Sequence, residues 1–187
     1  MRPINQVAKK TFDELSEGLV KVGDHRKIEN EGYMPLSIEV INTYGQDEGV
    51  EISFCHYSKQ EEDLMRDPEM IFIKHKNGNY YPYYFRNDYL GIEEFTVEFA
   101  PDGSGIESYF PQKQRQQAIF AGQWAATLRE QGFVVALQTE RRESLRRAEA
   151  TQNAESEHIV IEPDEAFLRT VDSSPAARAF AKAEGMI

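Results

Sequence analysis

Cysteine is nearly absent from this chain of 187 residues, where Cys55 stands alone. A single thiol closes no intramolecular disulfide, so a disulfide scaffold is excluded and side-chain packing must hold the fold. A run of about 18 apolar residues is also missing, which argues against a membrane-spanning helix. The start, MRPINQVAKKTFDEL, lacks an apolar core and carries Asp13 and Glu14 early, unlike a secretory signal. These absences together give the expectation of a cytoplasmic protein. One cysteine and scattered histidines form no zinc pattern. The glycine-bearing stretches GQDEG and APDGSGI both lack the lysine and the strand-to-helix context of a phosphate loop. His56, His75 and His158 stand in no nucleophile motif, so no residue set reads as catalytic.

Positive charge is the other scarcity. Lys and Arg number 21 against 32 Asp and Glu, a net charge of −11. Duplex DNA and anionic membranes are therefore not expected partners of the whole surface, because phosphate neutralisation needs clustered Lys and Arg. An acidic balance suits solubility, a basic partner or a cation site.

The residues present are 40% hydrophobic and 11% aromatic, enough for one domain and a tail. Val7, Thr11, Phe12, Leu15 and Leu19 recur at helical spacing and predict a helix over 5–22, stopped by Gly23. Residues 23–32 are charged and read as a connector with an exposed His25. Strands are expected at 35–43, where Leu36, Ile38 and Val40 share a face, and at 50–57, where Val50, Ile52, Phe54 and His56 oppose Glu51, Ser53 and Cys55. Two more, 69–75 and 80–86, flank Lys76-Asn77-Gly78-Asn79, and Asn-Gly predicts a type I′ hairpin with positive φ at both central residues. A fifth, 92–99, alternates through Phe95, Val97 and Phe99. Residues 112–131 predict an amphipathic helix with Phe120, Trp124 and Leu128 on its packed face, Trp124 reading as core. Residues 133–137 are apolar and fit a sixth strand or a last packed segment. The fold class is α+β: an N-terminal helix, an antiparallel meander of about five strands, and a long helix on the sheet. The domain spans 1–137. Residues 138–187 form a polar tail, partly helical or disordered, whose islands at 158–161 and 163–168 resemble partner-docking segments or a terminal element folding back.

The stretch 56–91 organises the rest. An acidic loop, 61–69, leads into the hairpin, and Asp63, Asp67 and Glu69, with His56 from the preceding strand, are candidate oxygen and nitrogen ligands for Mg²⁺ or Mn²⁺. Glu69 and Lys74, five apart, fall on opposite faces of an unbroken strand. Asp67 and Glu69, two apart, are able to share one. The same residues also read as a structured turn, with Asp67 accepting amide bonds and Pro68 fixing φ. The tyrosine-rich strand and the turn after it offer a partner-binding surface, with Tyr81, Tyr83, Asp88 and Tyr89 as its candidates.

His56-Tyr57, the run Asp63-Leu64-Met65-Arg66-Asp67-Pro68-Glu69-Met70, Tyr81-Pro82 and Asn87-Asp88-Tyr89-Leu90-Gly91 together resemble an uncharacterised domain family carried on bacterial plasmids and integrative conjugative elements. The resemblance covers about residues 50–100. It implies a mobile-element context with neighbours that handle DNA transfer or host defence, and it assigns no activity or cofactor. The functional expectation is a non-enzymatic acidic interaction protein, a counter-defence or accessory factor that binds a basic nucleic-acid-processing protein. The alternative is a divalent-metal-dependent hydrolase or nuclease using Asp63, Asp67 and Glu69.

Overall fold

A computed structural model describes residues 1–45 and 48–157, with side chains through 152. Six strands follow one another and pair with their sequence neighbours throughout: β1 (His25–Ile28), β2 (Leu36–Tyr44), β3 (Gly49–Gln60), β4 (Asp63–His75), β5 (Tyr80–Asn87) and β6 (Ile92–Phe95). All pairs are antiparallel. A second sheet pairs β7 (Val97–Phe99) with β8 (Ile106–Tyr109). Helix α1 (Gln6–Leu15) precedes the sheet, and α2 (Pro111–Glu130) and α3 (Phe133–Glu157) follow it. The chain divides into two compact units, Met1–Arg142 and Glu143–Ile187. In the second, the described residues continue α3, with Leu145 exposed and Arg147 paired to Glu143. The expected docking islands at 158–161 and 163–168 lie outside the described residues.

One face of the large sheet carries the main core. Alternation puts Leu36, Ile38 and Val40 of β2, Ile52 and Phe54 of β3, and Met70 and Phe72 of β4 on that face, all fully buried. Phe12 of α1 is the hub between the layers, with ring centroids 4.6 Å from Phe54, 5.0 Å from Phe72 and 6.2 Å from Trp124. Such tilted and edge-on pairs bury large area and add directional attraction. Gly122 permits the helices to meet, since a Cβ there would stand 2.7 Å from Asn5 Nδ2. Asn5 is also the cap of α1, accepting from the Ala8 amide at 2.8 Å.

Several expectations are corrected here. The first helix ends at Leu15, well before Gly23, and the chain turns away at Gly18, which has φ 83°. Val7, placed on its apolar stripe, is 72% exposed, and Ala8 takes the inner position. The connector contains β1, whose short polar run has one buried residue, Ile28, and so shows no readable alternation. The loop over 61–69 is mostly strand: β3 and β4 continue past the core as a two-stranded arm, from Tyr57 opposite Arg66 to Gln60 opposite Asp63. That arm lacks an apolar face, with Leu64 59% exposed, which is why composition read it as a loop. At the β4–β5 turn Gly78 has φ 79°, but Asn77 does not share a positive φ, so the turn is not type I′. Asn77 Oδ1 accepts from the Asn79 amide at 2.9 Å instead. Residues 92–99 are two strands in two sheets and β8 was not anticipated; of the two readings of 133–137 the packed segment holds and the strand does not, since they begin α3 with Phe133, Val134 and Leu137 buried.

Candidate functional site

A bulge in the tyrosine strand builds the second face of the sheet. Phe72 pairs with Pro82 and Ile71 with Tyr84, leaving Tyr83 as the extra residue. The slip brings Tyr83 and Tyr84 into one cluster with Ile73 and Val97, while Tyr80 stays in the main core. The bulge also frees the Tyr83 carbonyl. Thr96 occupies it, with its amide at 2.8 Å and its hydroxyl at 3.3 Å. Thr96 is the residue at which the chain leaves the large sheet and begins β7. The small β7–β8 sheet therefore sits over this face because one strand carries one residue too many.

The tyrosine hydroxyls there are mostly occupied. Tyr83 donates to Glu51 at 2.8 Å and Tyr84 to Glu93 at 2.7 Å. Burial pushes both phenols up, Tyr84 to about 12, and the adjacent carboxylates add to it. Burial likewise pushes the Glu51 carboxyl up, against the bond from Tyr83. Cys55 is buried on the same side, and desolvation, with Glu69 nearby, raises its thiol to about 12. It is an inert packed side chain.

A charged network closes one end of this face. Glu69 Oε1 accepts from Ser53 at 2.9 Å, and its Oε2 lies 2.9 Å from Arg66 Nε, which is not aligned to donate, so the contact is an ion pair. Asp88 accepts from the Arg66 amide at 2.8 Å and from Arg86 Nε at 2.6 Å. These bonds hold the Asp88 carboxyl below its ordinary value. Asn87 donates to Asp67 at 2.6 Å and accepts from the Leu90 amide at 3.0 Å. The motif residues Arg66, Asp67, Asn87 and Asp88 thus tie the start of β4 to the β5–β6 turn.

The candidate metal ligands are not brought together. The bulge opposite Cys55 and Tyr57 turns Asp67 toward His56 and leaves Glu69 beside Ser53 and Arg66. Asp63 stands exposed at the tip of the arm. His56 lies in the core against Trp124 and Phe133, its Nδ1 3.1 Å from the Pro35 carbonyl. Burial holds its imidazole below the ordinary value. Asp67, Pro68, His56 and Trp124 border a hollow of about 200 Å³ that gathers no second carboxylate. Among the described residues no three His, Cys, Asp or Glu side chains form a metal-ready cluster. Of the partner-binding candidates, Tyr83 and Asp88 are turned inward and occupied, Tyr81 is half-buried, and Tyr89 is 48% exposed with its hydroxyl 2.6 Å from Ser58 Oγ.

Of the surface that stands out, only Asp88 and Tyr89 were anticipated. Residues 87–110 carry six Asp and Glu and no Lys, Arg or His. Their aromatic side chains, Tyr89, Phe95, Phe99, Tyr109 and Phe110, are all at least 39% exposed. Glu93 and Glu94 are partly neutralised by Arg86 and Lys113. Glu98 and Asp102 are bonded by Ser108 and Ser104, and neither they nor Glu107 meet a cation among the described residues. Counting charge in a window of that length would have found the run. Alternation instead drew the eye to Phe95, Val97 and Phe99 as one buried face, and of these Val97 alone is buried.

A six-stranded meander covered by helices on one face and by a small acidic hairpin on the other defines an α+β domain. The chain belongs to the family described as Domain of unknown function (DUF6908), whose model matches residues 6–134, from the start of α1 through the first turn of α3. No curated protein and no solved structure matches it. No described helix is long and apolar enough to cross a membrane.

Proposed function

We propose that this protein is a non-enzymatic interaction module that docks a basic, nucleic-acid-processing protein through the β6–β8 face, as an accessory or counter-defence factor of a mobile genetic element. The observation that carries the reading is the coincidence on one segment, 87–110, of negative charge, unopposed at Glu98, Asp102 and Glu107, with five exposed aromatic side chains. Aromatic anchors supply contact area at low entropy cost, and Arg and Lys from a partner bond carboxylates and stack on rings. Acidic complementarity speeds encounter and rejects acidic competitors. The net charge of −11 supports a basic partner over nucleic acid itself. The mobile-element context rests on the motif resemblance.

The test is calorimetric titration of the full chain with an arginine-rich peptide over a salt series. Binding that weakens steeply with salt, and is lost when Glu98 and Glu107 are changed to Lys or when Phe95 and Phe99 are changed to Ser, is the expected result. Binding that ignores both pairs of substitutions, or no binding at low salt, would refute the reading.

A further inference from the structure

Beneath the β7–β8 hairpin, at the end of the face away from the Arg66 network, lies an open hollow of about 460 Å³. That is the size of a small-ligand site, roughly 300–1,000 Å³. Ile73, 2% exposed, belongs to its lining, and Tyr44, Tyr81 and Tyr109 stand around it. Met1, Glu107 and His75 also line it, and His75 lies 3.9 Å from Glu48.

These three tyrosines differ from most of the others in and beside the same sheets, Tyr57 being set against Cys55 instead. Tyr80, Tyr83, Tyr84 and Tyr89 each have a hydroxyl bonded to a carboxylate or to serine. Among the described residues the hydroxyls of Tyr44, Tyr81 and Tyr109 make no such bond. Packing alone does not account for three rings gathered round open space with a carboxylate at the edge. Rings with an adjacent negative charge attract an organic cation, and the attraction grows as the cation is desolvated.

We propose that this hollow is a cation cage that receives one arginine or lysine side chain of the partner. The assignment rests on the interaction reading above and adds the anchor point. The charge decides between ligands: a nucleotide would also stack on tyrosine, but its phosphates would meet Glu107 with no Lys or Arg lining the site, where Met1 and His75, the latter facing Glu48, also form the wall.

The probe is n-butylguanidinium, with n-butylurea as its uncharged isostere, followed by NMR of the isoleucine methyl groups in the full chain. Ile73 and Ile106 line the hollow and Ile38, fully buried in the other core, is the control. The expected result is a saturable shift of the Ile73 and Ile106 methyls with the guanidinium, little with the urea, and none at Ile38. Tyr109→Leu and Glu107→Gln should each weaken it about tenfold or less, as a partly exposed ring or charge would. Equal shifts from the urea would make the hollow an unspecific apolar one and overturn the proposal. So would saturable guanidinium binding that both variants leave intact, or no shift at all. In those cases arginine-rich peptide binding lost on Phe95 and Phe99 substitution would leave the broader reading standing. Loss of peptide binding altogether would sink both.

Discussion

Replacing Phe12 by Ala should cost this protein a large part of its stability, and replacing Val7 by Ala should cost almost none. Both residues belong to the helical stripe that the sequence presents as one apolar face. Phe12 is fully buried and touches three elements of the sheet and one helix, with centroids 4.6 Å from Phe54, 5.0 Å from Phe72, 6.0 Å from Tyr80 and 6.2 Å from Trp124. Truncation removes the buried ring and leaves a cavity whose walls belong to rigid layers, so little collapse is available. Phe→Ala changes of this kind cost about 3–5 kcal/mol. Against a typical total of about 5–15 kcal/mol that is a severe loss. At about 2–4 °C per kcal/mol for a domain of this size, the midpoint should fall by roughly 6–20 °C. Val7, 72% exposed, should stay within about 0.5 kcal/mol. The assay is equilibrium urea unfolding followed by the fluorescence of Trp124, the sole tryptophan, which neighbours Phe12. A Phe12→Ala cost below about 1 kcal/mol, or a Val7→Ala cost comparable to it, would show that α1 does not pack as described.

Other outcomes are expected from the same structure. Cys55 should resist alkylation at pH 8 in the native protein and react on unfolding, because burial raises its thiol from 9.0 to about 12; mass spectrometry after a timed pulse reads this, and rapid native labelling would contradict it. His56 is held below 6.5 by burial, so the folded state keeps it neutral while the unfolded chain takes up the proton. Its contribution is complete above pH 6.5 and is lost as pH falls below it; His56→Gln should flatten that part of the stability profile, and an unchanged slope would count against the assignment. Asn87→Ala should destabilise by about 1–3 kcal/mol, since Asn87 is 8% exposed and both Asp67 and the Leu90 amide lose a partner. Asp67→Ala should alter stability without altering the heat of Mn²⁺ addition; a saturable Mn²⁺ isotherm abolished by that change would restore the hydrolase reading.

The sequence by itself determined the class of fold and most of its central elements. Period-two alternation in Leu36–Ile38–Val40 and in Ile52–Phe54–His56 stated which side faces inward, because a strand buried on one face must alternate. The aromatic spacing of Phe120, Trp124 and Leu128 did the same for α2, and Trp124 and Leu128 are buried where expected. The ends of elements were harder. A strand without an apolar face, as in the Tyr57–Gln60 arm, owes its form to backbone pairing, and pairing leaves no mark on composition.

Tertiary structure alone decided the face that carries the candidate site. Nothing in YYPYYF announces that Tyr83 is an unpaired residue, since a bulge is set by the register of the neighbouring strand. That single slip reverses where Tyr84 points, frees a carbonyl for Thr96, and starts the hairpin that lies over the outer sheet. It adds Tyr84 to the face that holds Tyr83, locked onto Glu51, and Tyr81, which stands at the open hollow. The carboxylates met the same fate: Asp67 and Glu69 are close in sequence, and a second bulge, in β4 itself at Asp67 and Pro68 opposite His56, sends one to Asn87 and leaves the other on Arg66 and Ser53. Local patterning fixes which residues can be inside. Register between strands, which depends on residues far apart in the chain, fixes which polar groups meet.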